Sequence, residues 1–224
     1  MESFNNVKNI EIWRSLYEQG KNDLIYPNDV LVRIGSKHID KTKHKRILDF
    51  GFGTGANLLH FAKQGFEMSG IEISEHAIKT TIDRLNSEGK RGDLKLARQD
   101  GIIDFPDNYF DIVIAWQVLC YNDWSSLTQT VKELVRVLRP GGKFIGATTA
   151  PGDITQLLSE PLDTGTYKSK VPSQEGCIVI IPEKSMLTDI FKDQQLDIGE
   201  FGYNYSGITS RHWIIIFEKE NNLS

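Results

Sequence analysis

The chain has 224 residues, 39% of them hydrophobic, and 26 Lys+Arg against 30 Asp+Glu give a formal charge of −4. That length suits one domain with at most a small appendage, able to bury roughly 70% of its unfolded surface without staples, and an acidic balance gives a nucleic-acid partner no global electrostatic help. Only two cysteines occur, Cys120 and Cys177, far apart in sequence, so a disulfide scaffold, a zinc finger and a thiol-redox motif are excluded and a reducing, cytoplasmic compartment is expected.

The opening MESFNNVKNI lacks a basic stretch followed by an apolar run, and no apolar run is long enough to span a bilayer. Neither a leader nor a membrane partner is therefore expected. Residues 10–19 and 29–39 read as helices around a Tyr26-Pro27-Asn28 turn. The basic run 37–46 (KHIDKTKHKR) has no interleaved aromatic for base stacking and reads as a solvated connection. From 46 onward short apolar strands alternate with amphipathic helices, the pattern of an α/β fold with a doubly wound, mostly parallel sheet. Strands are expected at 46–50 (RILDF), 66–72, 94–99, 110–115 (FDIVIA) and 143–148, with helices at 55–64, after a Ser74 N-cap, and along the stripe Leu127, Val131, Leu134, Val135 and Leu138. Pro140 and Gly141 are expected to stop that last helix. The segment 151–176 has weak periodicity and reads as a long loop or small insertion. A helix at 183–194 and a hairpin of strands 198–205 and 212–218 close the chain. The expected organisation is a single domain, 1–224: an N-terminal helical cap (1–45), a core (46–150), an insertion (151–182), and a C-terminal helix and β-hairpin (183–224).

Chemistry concentrates in ILDFGFGTGA, residues 47–56. Glycines 51, 53 and 55 sit between a strand and a helix, where backbone must approach a ligand closely. Gly51, Gly53 and Ala56 satisfy the dinucleotide spacing G-x-G-x-x-A, so spacing alone does not choose the ligand. Asp49, at the mouth of the loop, does. A pyrophosphate there would meet a carboxylate, whereas a nucleoside without phosphate that carries an ammonium and a sulfonium, such as S-adenosylmethionine, would be favoured by it. Glu72 ends the second strand about twenty residues on, placed to accept from ribose hydroxyls. Asp100, with Gly101 beside it, follows the third strand and can read an adenine edge. Open α/β sheets bind ligands at this edge.

These segments, ILDFGFGTG, GIEIS (70–74), ARQDG (97–101), FDIVIAWQVL (110–119) and VKELVRVLRPGGKFIG (131–146), resemble the successive motifs of class I S-adenosylmethionine-dependent methyltransferases. The resemblance implies a Rossmann-like seven-stranded sheet whose last strand is antiparallel, and methyl transfer with S-adenosylmethionine as cofactor. It implies that Asp49, Gly51 and Gly53 hold the methionine end of that cofactor, and that Glu72 binds the ribose. Ile73 would pack on adenine, Asp100 and Gly101 would read its edge, and Trp116 and Gln117 would line the inner side. No metal site is expected.

The acceptor is approached by elimination. Ala115-Trp116-Gln117-Val118 is not the D/N/S-P-P-Y/F motif of amino-DNA methylation and offers neither paired glutamates nor magnesium-chelating acids. A small-molecule acceptor, methylated on oxygen or nitrogen by in-line displacement, remains. Candidate general bases are Tyr26, Tyr121 and His212, with His38 a further possibility by type. Trp13, Tyr17 and Tyr26 are expected to cover the cofactor, together with segment 151–172, whose Tyr167, Lys168 and Lys170 would suit an anionic acceptor. A cofactor-binding module without turnover stays open as the alternative.

Overall fold

Strand β1 (Arg46–Phe50) lies in the interior of the sheet, its Ile47-Leu48-Asp49 run buried and paired in parallel with a neighbour on each side. The computed structural model describes residues 4–220. On one side β1 joins β2 (Glu67–Glu72) and then β3 (Gly92–Leu96); on the other it joins β4 (Phe110–Trp116) and β5 (Leu138–Thr149). The sheet continues through β10 (Ile208–Glu218) to β9 (Asp197–Tyr205), in the order β3-β2-β1-β4-β5-β10-β9. Strand β10 runs antiparallel to both of its neighbours. The expected mostly parallel seven-stranded sheet with an antiparallel last strand is present. Strand order reverses between β1 and β4, so the loops leaving their C-terminal ends diverge and open a crevice there.

Helices cover both faces because successive strand residues bury on opposite sides. Ile47, Ile112, Ile114 and Ile145 pack with Leu31 of α2 (Asp29–His38) and Leu58 and Phe61 of α3 (Ala56–Lys63). Leu48, Val113 and Phe144 pack with Leu127, Val131 and Leu134 of α5 (Trp124–Val137) and Leu187 of α7 (Lys184–Ile190). Helix α4 (Glu75–Ser87) opens at the expected Ser74, whose hydroxyl accepts from the Ala77 N–H at 3.3 Å.

Three expectations shift. Strand β3 starts at Gly92 and ends at Leu96, earlier than expected, because its register with β2 ends opposite Glu72. Helix α5 ends at Val137, and Pro140 and Gly141 lie inside the early part of β5, where a register break separates Leu138 from Lys143. The insertion is folded: α6 (Ile154–Leu158) precedes a three-stranded antiparallel sheet of β6 (Glu160–Asp163), β7 (Thr166–Lys168) and β8 (Ile178–Ile180). Strands of three or four residues offer too few alternations to register as a pattern.

Helix α1 (Phe4–Glu18) is clamped to this insertion by one side chain. Buried Asn9 donates to the Tyr121 and Ile178 carbonyls and accepts from the Ile178 N–H, at 2.7–2.8 Å. No described helix is long and apolar enough to cross a membrane.

Candidate active site

The β1–α3 loop is the rigid wall of the crevice. Gly51 and Gly53 have φ of +72° and +55°, a region that strains any side chain. A Cβ at Gly51 would come within 2.3 Å of Val118, and one at Gly53 within 2.9 Å of the Tyr17 hydroxyl. The loop is held by Glu72. Its Oε2 accepts from the Gly53 N–H at 2.9 Å, and its Oε1 accepts from the Ile73 and Ser74 N–H groups at 2.7 and 3.1 Å. A carboxylate has about four lone-pair sites, so roughly one remains for a ligand hydroxyl. Burial pushes the Glu72 carboxyl up, against these three N–H groups, which favour its ionised form.

Asp49 lies beneath the loop, 2% exposed, and its Oδ2 is buried with no hydrogen-bond partner among the described residues. Burial, reinforced by Glu72, pushes its carboxyl up to about 7. Asp49 does not itself line the cavity above the loop; a positive charge close to that oxygen would favour its ionised form.

Above the loop is a cavity of about 920 Å³. Gly51, Gly53, Glu72 and Ile73 line it from the sheet edge, and Trp116 and Gln117 from the end of β4. Trp13 and Tyr17 line it from α1, with the exposed Tyr26 at the mouth. Tyr17 stays protonated, because burial and then Glu72 raise its pKa. The Nε1 atoms of Trp13 and Trp116 are buried without partners among the described residues, two donors facing no acceptor of the chain.

The far end of the cavity holds His212, Tyr121, Thr149, Ser210 and Gln174. His212 Nε2 is 2.9 Å from Gln117 Nε2, and its ring stacks on Phe201, which stacks on Trp116. Burial lowers the His212 pKa, opposed by Asp153, so the ring is neutral at pH 7 and able to take a proton. Tyr121 differs: its hydroxyl donates to Gln174 Oε1, and burial raises its pKa far above the usual phenol value. A phenol held protonated in this way can donate but cannot act as a base. Tyr26 is 84% exposed at the mouth and His38 does not line the cavity, which leaves neither as a base within it.

Two further expectations are corrected by geometry. Asp100 and Gly101 do not line the cavity; the Asp100 carboxylate is tied to Arg98 at 2.5 Å and accepts from the Ile102 N–H, which holds it well below the usual range, at about 2. Ala97 is the lining residue from that strand end. Lys168 and Lys170 also lie outside the lining, Tyr167 accepts from Gln156 Nε2 at 2.8 Å, and no Lys or Arg lines the cavity among the described residues. The basis for an anionic acceptor is therefore missing. Gln174, Ser210 and Tyr203 were not anticipated; only Thr149, at a strand end, carried a readable signal.

A family model described as a methyltransferase domain matches residues 48–146. Residues 48–146 are thus similar to a methyltransferase domain. A demethylmenaquinone methyltransferase of Tropheryma whipplei is 28% identical over 113 residues, covering 50% of this chain and 45% of the relative. A ubiquinone/menaquinone biosynthesis C-methyltransferase of Ectopseudomonas mendocina is 30% identical over 128 residues, covering 54% and 48%. The chain thus spans about half the length of these curated relatives. A solved S-adenosylmethionine-dependent methyltransferase from Methanosarcina mazei superimposes with a TM-score of 0.72 at 19% identity, over 87% of this chain and 99% of that one, a likeness of fold.

Proposed function

We propose that the protein transfers a methyl group from S-adenosylmethionine to a small-molecule acceptor. The observation that carries this reading is a strained glycine loop held by Glu72 at the edge of a cavity with no lining cation among the described residues, with the unpartnered Oδ2 of Asp49 buried beneath that loop. Such a site suits a cationic nucleoside without phosphate. In the proposed arrangement Gly51 and Gly53 let backbone approach the methionine end over the Asp49 charge. Glu72 offers its remaining acceptor capacity to the ribose, and Ile73 and Ala97 flank the base. Trp116, Gln117, Trp13 and Tyr17 close the inner and upper sides, with Tyr26 at the rim.

The cofactor supplies an already activated methyl group on sulfonium, so the protein's work is mainly to align the acceptor and exclude water, worth up to roughly 7–11 kcal/mol. His212 is the general base in this reading, since it is neutral and lies in the cavity. It would serve an acceptor whose oxygen or nitrogen must lose a proton. The Ectopseudomonas relative's name specifies carbon, and an acidic carbon acceptor would use the same base. An acceptor screen that reads release of S-adenosylhomocysteine tests the proposal: turnover supports it. Cofactor binding with no turnover of any acceptor would favour a non-catalytic module instead.

A further inference from the structure

The hairpin β9–β10 presents two unlike faces. Register pairs Phe201 with His212, Tyr203 with Ser210 and Tyr205 with Ile208, and strand alternation puts all six on one face. The opposite face carries Gly202, Asn204, Thr209 and Arg211, with Arg211 bonded to Glu200 at 2.7 Å, the polar surface expected of a solvated hairpin. The first face is different. It begins inside the cavity at His212 and runs outward through Ser210 and Tyr203 to Ile208 and Tyr205. Its large side chains are exposed along that course, Tyr203 at 63%, Ile208 at 45% and Tyr205 at 73%, while apolar character persists. Across the mouth stands Leu158 of α6, itself half exposed and lining the same cavity. Apolar groups scattered singly on a surface need no explanation, but a register-aligned row continuous with a site does.

We propose that this face is a track for the hydrocarbon chain of an acceptor without an anionic head, whose reacting end lies at His212. The inference rests on the methyltransferase reading and deepens it. The absence of Lys and Arg from the described lining argues against an anionic head. The continuity of Tyr203 and Ile208 with the cavity directs the chain outward along the hairpin. Tyr203 and Ile208 belong to the cavity lining and Tyr205 extends the same row past it, so an acceptor without an apolar tail would leave this row unused.

The test titrates 4-ethyl-, 4-butyl- and 4-hexylphenol into the protein with and without saturating S-adenosylhomocysteine, which is itself titrated separately. A fully buried methylene is worth up to about fourfold in affinity, so a gain of at least tenfold from ethyl to hexyl is expected for the wild type. The Tyr203→Ser/Ile208→Ser double variant should reduce that gain to under threefold while leaving S-adenosylhomocysteine affinity unchanged. Tyr205→Ser, at the most exposed position, should act in the same direction by a smaller amount and keeps the test open if the double variant misfolds. Equal gains in wild type and variants, or no gain with chain length, would overturn the track. So would a wild-type dimer that the double variant disperses without altering the phenol series, since the face would then join two copies. A chain-length gain lost in the variants, in a protein that fails to bind S-adenosylhomocysteine, would support the track and refute the cofactor reading instead.

Discussion

Replacing Asp49 with Asn should separate stability from cofactor binding. Asp49 is raised from 3.8 to about 7 by burial first and by Glu72 second. The folded chain therefore binds this proton more tightly than the unfolded chain, and between about pH 4 and 7 wild-type stability falls as pH rises. Between pH 5 and pH 8 the group loses roughly two units' worth of linkage, about 2–3 kcal/mol at 1.36 kcal/mol per unit. Asn is isosteric with the protonated acid and does not titrate. The stability of Asp49→Asn relative to wild type should thus rise by about 2–3 kcal/mol from pH 5 to pH 8, or about 5–10 °C in Tm for a chain of this size. The same substitution removes the charge that answers the ligand's ammonium, so S-adenosylhomocysteine should bind about tenfold more weakly, in line with the roughly 1.5–3 kcal/mol of a charge-assisted bond. Urea unfolding at the two pH values and calorimetry supply both numbers. A stability difference that is flat with pH, together with unchanged ligand affinity, would refute the reasoning.

Glu72→Ala should weaken cofactor binding tenfold or more and also lower stability by about 1–3 kcal/mol, because the Gly53, Ile73 and Ser74 N–H groups lose their acceptor; urea unfolding that matches wild type would contradict the second part. Once an acceptor is found, kcat/KM should fall as pH drops through a value below 6.5, where the buried His212 gains its proton, and His212→Gln should lose both this acid limb and most of the rate. Asn9→Ala leaves two carbonyls and the Ile178 N–H without their side-chain partner, so amide exchange in α1 and β8 should accelerate well before global unfolding. Unchanged protection there would show that the clamp does not hold the helix.

The central sheet was legible in the sequence where its strands are short apolar runs, as in β1, β4 and the second half of β5, while β3 (GDLKL) mixes polar and apolar residues and its bounds were misplaced. Gly51, Gly53 and Glu72 line the cavity where their spacing had pointed, because close backbone approach and strand-end charge restrict the residue types there, whereas Asp49 lies beneath the loop, outside the lining. Asp100 looked equivalent to Glu72 by position, yet Arg98, two residues before it, captures its carboxylate, a local pairing that spacing does not encode. The insertion escaped because β6, β7 and β8 are too short to show a period and are specified by contacts far away in sequence, such as Asn9 with Ile178 across 169 residues. Gln174 and Ser210 enter the cavity by the same long-range folding. Lys168 and Lys170 illustrate the converse, since a cationic stretch says nothing of which way its side chains face.

Calorimetric titration of the purified chain with S-adenosylmethionine, S-adenosylhomocysteine and NAD tests the central claim most directly. A loop built over buried Asp49 and braced by Glu72 predicts one-to-one binding of both adenosyl sulfur compounds and no heat from NAD. Tight binding of NAD with no response to either adenosyl compound would contradict it.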